Sequence, residues 1–373
     1  MSSGRAGPDP HGRVASPRGV WFALAGAALF GASAPLAKLL LPRTHALTLS
    51  ALLYLGAGCA LVLFSLARGA RHSLERTPIG AAEAPLRRAD LPTLVAMILL
   101  GGVLGPLLML LGLARVSGLA GSLLLNLEAP LTVLAALALF GEHLGRAQLL
   151  AAALIIAGAA TLGLGPAALR ADAAGIALLA GACAAWALDN NLSARLSLRD
   201  PVAVTRAKTL CAGAFALAVS LALRLPLPPL RTLVAALLLG AVSYGLSLVL
   251  VLRAQRLLGA ARQALWFAAA PFLGALLSLP ILGERPRPLD ALAVLLFIAG
   301  IALLRRERHV HPHTHAPLEH EHLHVHDEHH QHPHDARETM LPAPGAHSHP
   351  HLHETLTHEH THAPDAHHRH GHR

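Results

Sequence analysis

Residues 129–158 read APLTVLAALALFGEHLGRAQLLAAALIIAG, and residues 270–300 read APFLGALLSLPILGERPRPLDALAVLLFIAG. Each stretch has an Ala-Pro step, an apolar run, a Gly-Glu pair and a second apolar run ending in Ile-Ala-Gly. Gly141 and Gly283, Glu142 and Glu284, and Gly158 and Gly300 all stand 142 positions apart, whereas Pro130 and Pro271 stand 141 apart, so a one-residue gap aligns the whole. A match that spans two separate apolar runs reads as an internal repeat. Extended to 118–140 and 147–165 in one copy and to 262–282 and 288–304 in the other, the runs approach the roughly 20 apolar helical residues, rising about 1.5 Å each, that a bilayer needs.

Working outward from the repeat, apolar stretches recur along the chain at about 20–41, 46–66, 92–114, 118–140, 147–165, 173–193, 202–223, 231–252, 262–282 and 288–304. The composition agrees: 54% of the 373 residues are hydrophobic and only 14% are charged. A soluble dehydrogenase, a nucleic-acid module or a secreted scaffold could not hide that much apolar surface. The expected fold is therefore an all-α polytopic membrane protein of ten spans. Ten spans divided by the repeat give five per half, and an odd number inserts the second half upside down relative to the first. The expected units are a cytoplasmic segment 1–18, a five-helix repeat 19–165, a second repeat 171–305 and a tail 306–373.

Although the net charge is +9, the arginines sit in short breaks between apolar runs, where they mark orientation and not nucleic-acid binding. With the N-terminus inside, 17 Lys/Arg-bearing loop positions face the cytoplasm and 7 face outward, which puts both termini in the cytoplasm. Ala32-Ser33-Ala34 resembles a signal-peptidase site, but Pro35 follows at once and the apolar run continues to Leu41, as an uncleaved first span does. Cys59, Cys183 and Cys211 lie in apolar runs without C-x-x-C spacing.

Polar groups inside apolar runs mark cavities, because a charge facing lipid is costly unless it snorkels or pairs. Lys38 lies late in the first run, and Asn126 and Glu128 lie mid-way along the fourth. Asp189 and Asn190 lie in the Trp186–Leu192 segment, where helix termination is the plainer alternative. Arg206 and Lys208 either reinforce the cytoplasmic positive charge or neutralise an acidic partner such as Asp189. Lys38, Asn126, Glu128, Asp189, Asn190 and Lys208 are the candidate substrate-binding or coupling residues. Pro130 and Pro271 each remove a backbone donor within a run and are the candidate hinges or helix breaks. Trp186 and Trp266 serve packing as readily as a cavity wall.

The Ala-Pro segments at 129–130 and 270–271, the Gly-Glu pairs at 141–142 and 283–284 and the glycines at 158 and 300 resemble the drug/metabolite transporter superfamily, in its ten-span EamA type. The resemblance covers about Gly19 to Arg305. It implies a cavity between the halves and export of an amino acid, metabolite or drug by alternating access. Glu142 and Glu284, at span ends, read first as groups that cap or bridge a turn. No zinc-protease helix, nucleophile elbow, Walker loop or dinucleotide loop occurs, so no enzyme activity, catalytic residue or bound cofactor is expected.

The tail differs in kind. It holds 23 of the 27 histidines, with 6 basic and 10 acidic side chains from 305 onward. Few apolar residues and several prolines predict disorder. Imidazoles at alternate positions suit Zn²⁺, Ni²⁺, Co²⁺ or Cu²⁺, and the candidate ligands are His309, His311, His313, His315, His320, His322, His324, His326, His329 and His330. Two alternatives to metabolite export follow: a divalent-metal exporter or metal-responsive transporter, and a membrane metal-storage protein. The expected partners are a small-molecule substrate, lipid and transition-metal ions, with no nucleic acid, and the glycine-rich faces leave room for a homodimer. The expected location is a bacterial inner membrane.

Overall fold

The computed structural model describes residues 17–75, 85–140, 146–162, 172–193, 196, 199–258, 266–304, 309–315, 318–325, 346–353 and 356–362. Among these, six stretches are helical, long and apolar enough to cross a membrane: Pro17–Arg43, Ala46–Ala67, Arg88–Leu113, Ala173–Ser193, Val202–Ala222 and Leu230–Val251. Leu149–Leu162, Ala270–Leu282 and Pro288–Leu303 are apolar but shorter. Leu63, Leu66, Leu230, Leu238, Leu276 and Leu295 stand on the outer surface, while Ala23, Ala27, Ala37, Ala182 and Ala236 are buried between helices. That is the distribution of helices packing in lipid, where small residues bring backbones together and large apolar ones meet acyl chains.

Several runs that look continuous in sequence are broken by proline. The first divides into α1 (Pro17–Gly31) and α2 (Ser33–Leu40), because Pro35 offers no N–H to the carbonyl of Gly31, four residues back. Gly274 lies so close to that carbonyl that a Cβ would strike it. After α3 (Ala46–Glu75), the third run comprises α4 (Leu91–Met97), a π-helical segment Ile98–Leu104 and α5 (Gly105–Leu113). Here Pro106 follows the segment and lacks the donor that would close it. The fourth run comprises α6 (Gly118–Leu124), a 3₁₀ turn Leu125–Leu127 and α7 (Glu128–Phe140). Pro130 lies in the first turn of α7, where a missing N–H costs no intrahelical bond.

The rest of the body comprises α8 (Arg146–Leu162), α9 (Ala173–Ser193), α10 (Pro201–Ala222), α11 (Leu230–Leu239), a second π-helical segment Gly240–Leu246, α12 (Ser247–Leu258), α13 (Ala270–Leu282) and α14 (Pro288–Leu304). The two π segments stand 142 positions apart, the same offset as the paired glycines. Pro271 opens α13, and Pro280 lies inside it. The principal helix contacts are α3 with α10, α8 with α14, α1 with α12, α5 with α9, α6 with α13, α7 with α9 and α1 with α13. Hydrogen bonds cross these contacts: the Thr48 and Ser220 hydroxyls meet at 2.7 Å, and Ser247 Oγ donates to the Gly26 carbonyl at 2.9 Å. Each such bond contributes about 0.6 kcal/mol in a bilayer.

In the tail the described parts are strands β1 (His309–His315), β2 (Leu318–Val325), β3 (Ala346–His353) and β4 (Leu356–His362). β1 pairs antiparallel with β4, and β2 with β3, as two separate ribbons. Alternation of His with Val, Thr, Leu or Glu has the strand period of two, and Pro312 and Pro350 are tolerated because every strand of a two-stranded ribbon is an edge.

Candidate functional site

The π segment supplies the first part of the site. In π register the carbonyl of Gly101 looks for the N–H of residue 106, which is proline, and is left without a backbone donor. Two side chains replace it: Tyr54 Oη of α3 donates at 2.8 Å and Trp186 Nε1 of α9 donates at 3.1 Å. Gly101 is required there, since a Cβ would land on the carboxylate of Asp189.

Asp189 is 5% exposed. Its Oδ2 accepts a hydrogen bond from Lys208 Nζ of α10 and forms an ion pair with it. Oδ1 is buried and has no hydrogen-bond partner. One residue further along α9, Asn190 is exposed and donates from Nδ2 to Glu128 Oε1 at 2.7 Å. Asn191 donates to the carbonyls of Thr132 and Ala187 at 3.1 and 2.8 Å. The polar end of α9 is therefore stitched to the first turn of α7, and Glu128 forms no ion pair among the described residues.

The break between α6 and α7 frees backbone carbonyls, and nearby side chains meet them. Asn126 Nδ2 donates to the Leu123 carbonyl at 2.8 Å, and the Cys183 thiol points to the carbonyls of Leu124 and Leu125 at 3.7 and 3.8 Å. Asn126 is thus structural in its contacts and adjacent to the site through Glu128.

Lys38 makes none of its contacts there. Its ammonium donates to the carbonyls of Leu113 and Val116, at the C-terminal end of α5, where a cation complements the helix dipole. Glu284 completes that end from the second half of the chain: its two carboxylate oxygens accept from the N–H groups of Gly118 and Leu119 at 2.6 and 2.8 Å, at the start of α6. Glu284 therefore caps a helix 166 residues earlier in sequence, not its own following turn. Its counterpart Glu142 lies outside the described residues. Arg115 and Asp172 pair at 3.1 Å beside this turn, and the hydrogen bond from Arg115 holds the Asp172 carboxyl below the usual carboxylate range.

The structure thus gathers Glu128, Asp189, Asn190 and Lys208, with Asn126 beside them, and sends Lys38 elsewhere. Tyr54 was missed by residue-by-residue reading, whereas Gly101-Gly102 and Gly105-Pro106 are legible as a point of local deformation in the third run but not as part of a site. Trp186 belongs to the site through its indole N–H, while Trp266 is exposed. Among the described residues no group of three or more His, Cys, Asp and Glu is placed to hold a metal ion. His309, His311, His313 and His315 lie on β1 and His320, His322 and His324 on β2; His326, His329 and His330 lie outside the described residues.

A family model described as the EamA-like transporter family matches residues 17–164 and again 173–306. An uncharacterized transporter of Methanothermobacter thermautotrophicus (strain Delta H) is 32% identical over 282 residues, covering 74% of this chain and 82% of that protein. The chain belongs to the EamA-like transporter family. Membership makes it a multi-pass membrane protein of a transporter family, in keeping with its apolar helices. A solved crystal structure is similar at a TM-score of 0.54 and 22% identity, covering 77% of this chain and 96% of that chain, which speaks for the fold alone. Among the described residues of this EamA-like protein, the Glu128 cluster brings two carboxylates, an ammonium and an amide together within apolar helices.

Proposed function

We propose that the protein is a secondary transporter, not an enzyme, that exports a small metabolite or amino acid by alternating access. The observation that carries this reading is the Glu128–Asn190 and Asp189–Lys208 pairing, contributed by α7, α9 and α10 part-way along apolar helices. An exposed Asn190 bonded to a half-buried Glu128 is costly against lipid and belongs in a water-filled cavity.

In this reading the body has ten spans in two inverted repeats, 19–165 and 171–305, with both termini in the cytoplasm of a bacterial cell. Three short apolar helices and the divided stretch 118–140 supply the spans beyond the six long ones, by tilting or by pairing broken halves. The helix contacts support the two repeats, and an odd number of spans in each half is what inverts one relative to the other. Exchanging the halves turns the α1–α12 contact into α9–α5 and the α7–α9 contact into α13–α1, and returns α3–α10, α8–α14 and α6–α13 to themselves. A pseudo-two-fold axis has this property, and it permits two open states that exchange the roles of the halves. Pro130 and Pro271, each opening a helix, are the hinges of the exchange.

Flux of candidate metabolites from sealed proteoliposomes, screened without bias, tests the reading. Efflux that Glu128→Gln abolishes in a folded protein is expected; absence of flux for every compound class would overturn it.

A second reading makes the tail a metal-responsive arm for Zn²⁺, Ni²⁺, Co²⁺ or Cu²⁺, as part of an exporter or a store. It draws on the strand register, which sets His309, His311 and His313 opposite His362, His360 and His358, and His320, His322 and His324 opposite His351, His349 and His347. Equilibrium dialysis of Zn²⁺ against the full chain and a chain ending at residue 308 tests it. Equal uptake by the two would overturn it.

A further inference from the structure

We infer that the group recognised at the Glu128 cluster is an organic ammonium, so that the cargo is an amine and not an amino acid, an acid or an uncharged metabolite. The inference rests on the transport reading above and narrows it.

The charge balance comes first. The cluster sets two carboxylates, Glu128 and Asp189, against one ammonium, Lys208. Asp189 uses only Oδ2 on Lys208 and keeps Oδ1 buried and unpartnered. Glu128 receives only the neutral Asn190 amide. With both carboxylates ionised, one positive charge is missing within apolar helices, where an uncompensated carboxylate is costly. An acid would add a second uncompensated negative charge. An amino acid would need a cation for its carboxylate, and Lys208 is already engaged. An uncharged compound would leave the imbalance in place.

The aromatic residues give an independent argument. Aromatic side chains form 3% of the chain, yet both tyrosines meet here. Tyr54 and Tyr244 have ring centroids 5.8 Å apart, Tyr244 lies 5.6 Å from Phe30 in an edge-to-face contact, and Phe30 lies 5.4 Å from Phe267. This group joins α1, α3, the second π segment and the residues just before α13. It ends beside Asp189, because the Tyr54 hydroxyl and the Asp189 carboxylate both touch Gly101. Aromatic faces beside carboxylates attract organic cations and offer little to anions.

The test is equilibrium binding to the full chain in lipid nanodiscs near neutral pH, with 2-phenylethylamine, 2-phenylethanol, phenylacetate and phenylalanine as matched probes. The amine is expected to bind roughly tenfold or more tightly than the other three. Glu128→Gln is expected to remove that preference while leaving the alcohol's affinity unchanged, and Glu128→Asp to restore part of it, which separates loss of charge from loss of fold. Phenylacetate or phenylalanine binding as tightly as the amine would overturn the inference, as would an amine preference that survives in folded Glu128→Gln. Efflux from vesicles loaded with the same probes separates the two levels of argument. Glu128-dependent amine binding without efflux upholds the cation site and overturns the carrier reading. Efflux of an uncharged compound without amine preference overturns the cation site and leaves the carrier reading standing.

Discussion

Lys208 of α10 is paired with Asp189 of α9, and the pair lies against Gly101 of the π segment between α4 and α5. Three helices from both halves of the chain therefore meet at one ion pair, which holds Asp189 next to the Asn190–Glu128 contact. Removing one partner of a buried pair leaves the other charged and unpaired, at a cost of about 3 kcal/mol or more. Lys208→Met is accordingly expected to lower the melting temperature of the purified protein strongly, and Lys208→Met combined with Asp189→Leu to recover much of the loss. A double variant no more stable than the single one would show that Asp189 does not depend on Lys208 for its burial.

Gly101 is a steric prediction. A methyl group at this position would meet the Asp189 carboxylate, whereas at Gly181 the nearest atom is Cδ1 at the far end of the Leu108 side chain, at 3.3 Å. Gly101→Ala is expected to reduce flux by roughly tenfold or more through displacement of Asp189, and Gly181→Ala to leave it within about twofold. Equal flux in the two variants would dismiss the close approach.

Glu284 satisfies two N–H groups at the start of α6. Glu284→Ala is expected to destabilise by about 1 kcal/mol, the usual worth of an N-terminal cap. Glu284→Gln, which keeps one acceptor oxygen, should recover part of it. Faster amide exchange at Gly118 and Leu119 in Glu284→Ala is the local readout; unchanged exchange would remove Glu284 from this role.

Asp172 titrates low because Arg115 donates to it. A depressed folded-state value means that the pair stabilises above the carboxyl's unfolded pKa and that this contribution fades as pH falls through the folded value. Carbon NMR of the Asp172 carboxyl should show its midpoint rising in Arg115→Gln, and added salt should narrow the difference, as for any exposed pair. A midpoint indifferent to Arg115 would place the cause elsewhere.

Much of the body was legible in the sequence because the signals are local. Apolar runs report lipid contact directly, and the 142-residue spacing read from Gly158 and Gly300 reappears in the backbone as the spacing of the two π segments. Glu128, Asp189 and Asn190 stood out because charged and amide groups are rare within such runs. Lys38 stood out for the same reason, but its ammonium goes to the carbonyls of Leu113 and Val116: rarity marks a polar group as constrained without saying by what.

What the sequence determined by itself is the membrane habit of the body, the break points set by Pro35 and Pro106, and the histidine load of the tail. All are consequences of a residue's own chemistry or of its bonds to the next turn. The tertiary structure decided which polar groups meet: that Lys208 answers Asp189, that Tyr54 and Trp186 serve the orphaned carbonyl of Gly101, and that Glu284 caps a helix in the other half. Those partners come from distant parts of the chain, and only packing brings them within hydrogen-bond range. In a medium without water to satisfy them, such meetings fix which arrangement of the helices is stable.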